Sequence, residues 1–234
     1  MEAIILAGGS GTRLQKVVND LPKSMAPVNG RPFLEYLLDY LVTQDVTEVV
    51  LSVGYLRTAI MDHFGTGYRN LRIQYSIEEE PFGTGGGIRL ALWKVTGDRA
   101  FAMNGDSLFR VDLHRMMDRH LKNKADLTIA LRELKETGRY GQVTMNRSRR
   151  ISGFLEKQED GGKGYINGGV YIIEKGFLMD PVFRGKFSIE KDCFEPFYTT
   201  SRMFGFPSEE YFLDIGIPED YQRAQDEFKQ FEIR

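Results

Sequence analysis

Cysteine is almost absent from this chain. Cys193 is the only one, so no disulfide can form within it. A covalently stapled fold is excluded, and a reducing, cytoplasmic location is the simplest expectation. Positive charge is not in surplus either: 31 Lys and Arg face 33 Asp and Glu, for a formal net charge of −2. That balance argues against the basic face that nucleic-acid binding needs and against a polybasic membrane anchor. No apolar run approaches the ~20 residues that span a bilayer. The opening Met1-Glu2-Ala3 has no cationic start, and its short apolar stretch stops at Gly8, so a secretory leader is not expected. Histidine is scarce, and His63, His114 and His120 lie on helical segments without metal-ligand spacing.

What is present is ordinary globular material: 234 residues, 41% hydrophobic, 27% charged and 12% aromatic. The length suits one large domain, and no repeat or low-complexity linker divides it, so residues 1–234 read as a single unit. Ala3–Ala7 is an apolar run ending at glycines, the pattern of a strand buried on both faces. Phe33, Leu34, Leu37, Leu38 and Leu41 recur at helical spacing after Pro32. Glu48–Val53 reads as a strand, Tyr55–Phe64 as a helix, Leu71–Ile77 as a strand, Gly85–Val95 as a helix and Arg99–Asn104 as a strand. Strand and helix therefore alternate through the first half, which predicts a mainly parallel sheet with helices on both faces. The second half is less regular. Leu113–Lys122 reads as a helix, and Ala125–Arg132, Gln142–Met145, Ile151–Leu155 and Gly168–Ile173 as strands with antiparallel pairing. Pro218–Phe231 reads as a terminal helix, and Trp93 and Tyr36 as packing residues. The expected architecture is a three-layer α/β sandwich with a mixed sheet.

Ligands of such sheets bind in loops beyond the carboxyl ends of strands. Three of those loops are rich in glycine, at 8–11, 83–87 and 104–106. In the first, Leu6-Ala7-Gly8-Gly9-Ser10-Gly11-Thr12-Arg13-Leu14 precedes Leu21-Pro22-Lys23. Small residues let backbone amides close around a phosphate chain, and Arg13 and Lys23 offer cations for a leaving pyrophosphate. The spacing matches neither the Walker loop nor the dinucleotide fingerprint, because Leu14 stands where the last glycine of the latter belongs.

This segment resembles the signature of the sugar-phosphate nucleotidyltransferases. Gly83-Thr84-Gly85-Gly86, Asn104-Gly105-Asp106, Phe154-Leu155-Glu156-Lys157, Asn167-Gly168-Gly169 and Phe212-Leu213-Asp214 extend the resemblance along the whole chain. Ser24 departs from it, standing where relatives often carry a second proline. The resemblance implies a glycosyltransferase-A-like α/β fold and the use of Mg²⁺. The stretch from Met25 to Tyr36 looks closest to the branch that transfers GMP from GTP to D-glycero-α-D-manno-heptose 1-phosphate, within cell-surface glycan synthesis. Alternatives are a mannose 1-phosphate guanylyltransferase, a uridylyl- or cytidylyltransferase acting on another sugar, and a non-catalytic sensor on the same fold.

On this reading Arg13, Lys23 and Asp106 are catalytic, and Asp106 and Asp214 hold the metal. Leu6, Ala7, Gly8, Gly9, Gly11, Thr12, Glu80, Gly83 and Thr84 bind the nucleotide. Asn104, Glu156, Lys157, Asn167, Gly168 and Gly169 bind the sugar phosphate. Glu80, beside Pro81, can accept the two adjacent guanine donors, where an amide would suit other bases better. Read without the resemblance, Asp106 and Asp214 could cap turns, Glu156 and Lys157 form an exposed ion pair, and Glu78–Glu80 be a solvated acidic turn. Cys193 has no evident base partner, and a nucleophilic role is not expected. Residues 181–197 are aromatic-rich and could shape the sugar pocket or a subunit contact. A homodimer is compatible with the sequence, though no motif supports it.

Overall fold

The computed structural model describes residues 1–9, 20–157 and 161–230. Its first strand, β1 (Glu2–Leu6), has Ala3, Ile4 and Ile5 fully buried, so an uninterrupted apolar run is what the position requires. The chain passes through helix α1 (Phe33–Thr43) to β2 (Glu48–Val53), then α2 (Arg57–Phe64), β3 (Leu71–Ile77), α3 (Gly83–Leu92) and β4 (Arg99–Asn104). β2 pairs in parallel with one edge of β1 and β3 with β2, while β4 pairs in parallel with the other edge of β1. The order β4–β1–β2–β3 therefore reverses between β1 and β4. A crevice opens at that switch point, beyond the paired residues Leu6 and Asn104.

The rest of the chain widens the sheet with antiparallel pairing. After the short strand β5 (Ser107–Phe109) and helix α4 (Leu113–Asn123) come β6 (Leu127–Leu134), β7 (Gln142–Met145), β8 (Ile151–Leu155) and β9 (Gly164–Glu174). β9 lies antiparallel to β4 through Val170–Glu174, to β6 through most of its length, and to β7 at Ile166. β10 (Met203–Ser208) runs parallel to β6, and β11 (Phe212–Asp214) pairs with β5. Helix α5 (Pro218–Glu227) follows.

Alternating residues along each strand feed two apolar layers. Ala3, Ile5, Leu51, Phe101 and Met103 join α1, α4 and α5 on one face. Ile4, Val50, Ala100 and Ala102 join Ile88, Ala91 and Leu92 of α3 and the aromatic segment around Phe183–Phe194 on the other. This is the three-layer α/β sandwich that the alternation of elements implies.

Several boundaries differ from the periodicity. α3 begins at Gly83 and ends at Leu92, and Trp93, expected to pack, is 68% exposed at its C-cap. Tyr36 is buried as expected. β9 starts at Gly164 rather than Gly168, because Gly164–Asn167 find partners on β6 that no local pattern encodes. The terminal helix gives way after Glu227 to a 3-10 turn over Phe228–Gln230.

Candidate active site

A cavity of about 780 Å³ lies at the switch point, floored by the ends of β1 and β4. Leu6, Ala7, Gly8 and Gly9 form one wall, with Asn104 and Asp106 facing them and Glu80, Gly83 and Thr84 on the side of α3. Gly105 lets the two walls meet. Its amide donates to the Leu6 carbonyl at 3.0 Å, and a Cβ there would lie 2.4 Å from that same oxygen. Gly8 has a similar constraint, since a Cβ would come within 2.9 Å of the Gly54 amide nitrogen. Gly11, Thr12 and Arg13 lie outside the described residues.

Three charged side chains converge at the cavity's edge. β11 pairs with β5 so that Asp214 stands opposite Ser107, and the Ile215 amide donates to the Asp106 carbonyl at 2.9 Å. Both carboxylates are thus brought to one point. The Lys23 ammonium sits 2.5 Å from Asp106 Oδ2 and 3.8 Å from Asp214 Oδ1. Burial pushes the Asp214 carboxyl up, and the neighbouring charge of Asp106 adds to this, while Lys23 opposes it. Beside them Ser24 is buried, and its hydroxyl has no hydrogen-bond partner among the described residues. That leaves a donor at the cavity wall.

Two carboxylates without histidine or cysteine make a hard-oxygen site, and no larger group of such ligands occurs among the described residues. This fits Mg²⁺, which takes one or two carboxylates and fills its shell with phosphate oxygens and water. It does not fit a structural zinc site.

The acidic turn divides in two. Glu78 is committed to the scaffold: its carboxylate accepts from the Ser52 hydroxyl at 2.8 Å and the Phe82 amide at 3.1 Å. Glu79 pairs with Arg57 at 3.0 Å. Glu80 is exposed and lines the cavity, leaving it the carboxylate of the three available to a ligand there. Gly83 adopts φ +74°, and a Cβ would meet the Phe187 carbonyl at 2.5 Å, so the loop needs glycine on both counts.

Across the sheet, the register of β9 against β6 shifts between Asn167 and Tyr171. Gly169 takes φ +72° there, with its Cα face against Asn104, and Gly168 rests on the Phe109 ring. The Asn167 side chain is bound to its own chain. Its oxygen accepts from the Gly169 amide at 2.9 Å, and its nitrogen donates to the Tyr171 hydroxyl at 2.9 Å and to Glu190 at 2.6 Å. Glu156 and Lys157 follow β8, exposed and outside the lining of this cavity. The sequence singles out neither Ser52 nor Glu190, nor Arg139 and Tyr140. The last two line a second cavity of about 1000 Å³, which Asp214 also lines. Cys193 is buried in the core, and burial pushes its thiol up to about 12, which suits packing and not nucleophilic attack.

A family model described as Nucleotidyl transferase matches residues 2–230. The chain belongs to the nucleotidyl transferase family. Among curated relatives, this nucleotidyl transferase is 47% identical to the D-glycero-alpha-D-manno-heptose 1-phosphate guanylyltransferase of Aneurinibacillus thermoaerophilus, covering 99% of this chain and 100% of the relative. It is 39% identical to the enzyme of the same name from Campylobacter jejuni, over 94% of this chain and 97% of that one. Among solved structures it resembles HddC from Yersinia pseudotuberculosis complexed with GMP-PN, with a TM-score of 0.87 and 36% identity. That match covers 97% of this chain and 99% of the other.

Proposed function

We propose that this nucleotidyl transferase carries GMP from GTP onto D-glycero-α-D-manno-heptose 1-phosphate, releasing pyrophosphate and GDP-heptose. The carrying observation is the convergence of Lys23, Asp106 and Asp214 at the edge of the switch-point cavity. The relatives' shared activity supports the choice of nucleotide and sugar. One chain-long unit, 1–234, performs the reaction in the cytoplasm, and the product feeds cell-surface glycan synthesis. Its partners are the two substrates, with neither nucleic acid nor membrane, and self-association into a homodimer is compatible with this reading. No described helix is long and apolar enough to cross a membrane.

An oxygen of the sugar 1-phosphate displaces pyrophosphate at the α-phosphorus of GTP, in line. The nucleophile is already an anion, so the protein need not remove a proton. Its task is to align two anions and neutralise the charge that repels them. The amides of Ala7–Gly9 approach the triphosphate, and Arg13 adds a cation. Lys23 neutralises the reacting phosphates, and Lys157 holds the incoming sugar phosphate, with Glu156 on its hydroxyls. Asp106 and Asp214 would hold Mg²⁺, which when bound would supply neutralisation of phosphate charge. Glu80 accepts from the guanine edge.

The experiment is a thermal-shift panel of nucleoside triphosphates with Mg²⁺, because a ligand that binds only the folded state raises its melting point. GTP should give the largest shift in the wild type, and Asp106→Ala should reduce it. A larger shift with UTP or CTP would overturn the base assignment.

A further inference from the structure

The segment Phe187–Glu190 lies against both halves of the site. The Phe187 carbonyl accepts from the Gly85 amide at 3.0 Å, and the Ile189 amide donates to Thr84 Oγ1 at 3.0 Å, so the segment is fastened to the start of α3. One residue further on, Glu190 receives the Asn167 amide at 2.6 Å. The segment thus spans from the nucleotide loop to the register break in β9, and Glu190 stands at the junction.

The hydrogen-bond capacity of this junction is unevenly used. Asn167 has spent both N–H donors on Tyr171 and Glu190, and its oxygen on Gly169, leaving a single lone pair. Its side chain is therefore poorly supplied for a ligand. Glu190 is exposed, its carboxylate carries one hydrogen bond on one oxygen, and no further hydrogen bond to that carboxylate is made among the described residues. Tyr171, fully buried, anchors the junction through its hydroxyl, which accepts from Asn167 at 2.9 Å, and Gly169 beside it lies against Asn104, a residue of the cavity wall. A solvent-facing carboxylate fixed in direction by a neighbouring amide is the chemistry that accepts hydrogen bonds from sugar hydroxyls.

We infer that Glu190 binds a hydroxyl of the sugar 1-phosphate, and that Asn167 serves as the positioning residue that aims it. This rests on the transferase reading above. It moves the polar sugar contact from Asn167, where the sequence suggests it, to a residue 23 positions later. Ribose of the nucleotide offers the same hydroxyl chemistry. The sugar is favoured because Glu190 is tied to the bulge against Asn104 and not to the Gly8 loop.

The test is steady-state kinetics of Glu190→Gln in the full chain, reading KM for each substrate and the melting temperature. Glutamine keeps an oxygen for Asn167 while removing the charge. The expected result is an increase of roughly 10- to 100-fold in KM for the heptose 1-phosphate, the scale of a lost hydrogen bond to a charged group. KM for GTP and the melting temperature should stay within about twofold and a degree or so, respectively. Single-deoxy sugar 1-phosphates provide the second reading. At one position, loss of the hydroxyl should raise KM in the wild type and add nothing further in Glu190→Gln. Unchanged KM for the sugar phosphate, or a rise confined to GTP, would overturn the inference. So would deoxy penalties that are the same in both proteins. If the wild type itself turned over no sugar 1-phosphate, the transferase reading would fail with it, an outcome readily told apart from a normal Glu190→Gln enzyme.

Discussion

The Lys23 ammonium lies 2.5 Å from the Asp106 carboxylate, linking the short turn Lys23–Met25 to the loop that follows the central strand β4. The same ammonium is 3.8 Å from Asp214, so one cation stands between two acids from distant parts of the chain. Replacing it with an apolar side chain would leave two neighbouring carboxylates without that cation. Lys23→Met should lower kcat by roughly 10²–10³, the scale of a lost electrostatic contact in a transition state. It should also push the Asp214 carboxyl further up, because Lys23, ahead of the Gly216 amide, opposes burial and the charge of Asp106. The acid limb of the pH–rate profile is then expected to move to higher pH. An unmoved limb would mean that Asp214 is not governed by this cation.

Gly105 tests the fold of the switch point itself. Its absent side chain is what lets β4 turn against β1, where a Cβ would lie 2.4 Å from a backbone oxygen that cannot rotate away. Gly105→Ala should destabilise the protein by about 1–3 kcal/mol, the usual cost of overpacking. Urea denaturation measures it. A value near zero would show that the two strands can separate without penalty.

The buried imidazole of His120 gives a pH signature far from the cavity. It bonds Thr128 at 2.8 Å and Glu174 at 2.9 Å. Burial, the largest influence, holds its pKa below 6.5, against the pull of Glu174. In the unfolded chain it titrates near about 6.5. As pH falls through that value the unfolded chain gains a proton that the folded one resists, so stability is lost, until the folded pKa is passed. Thermal melts between about pH 5 and 7.5 should therefore slope more steeply for the wild type than for His120→Gln. Parallel curves would remove His120 from the account.

Much of the first half was legible because buried parallel strands announce themselves. Ala3–Ala7, Glu48–Val53 and Arg99–Asn104 are largely apolar runs closed by glycine or turn residues, and their alternation with helices implies a crevice beyond their carboxyl ends. Asp106 and Asp214 are legible as strand-end acids, and their approach is implied by the resemblance and not by any local pattern, because it depends on the pairing of β11 with β5. The register break at Asn167–Tyr171 and the arrival of Glu190 are likewise non-local: they arise from three strands competing for β9 and from a segment docked on α3. Trp93 misled because its apolar ring suggests packing, whereas its place at the C-cap of α3 turns it to solvent.

The proposed base choice rests on Glu80, the one member of its acidic turn that lines the cavity without a partner among the described residues. Glu78 is its internal control, since its carboxylate is engaged by Ser52 and Phe82. Glu80→Gln should lower the preference for GTP over UTP by roughly 5- to 150-fold, corresponding to ~1–3 kcal/mol for a bidentate base contact. Competition kinetics with both nucleotides measures the ratio. An unchanged ratio would place base recognition elsewhere.

The central claim is tested most directly by pyrophosphate release, with Mg²⁺, across a matrix of nucleoside triphosphates and sugar 1-phosphates that includes heptose and mannose. Release with GTP and D-glycero-α-D-manno-heptose 1-phosphate above all other pairs, abolished in folded Asp106→Ala, is the result expected. Release led by another pair would contradict the substrate assignment. Turnover by folded Asp106→Ala near that of the wild type would contradict the site.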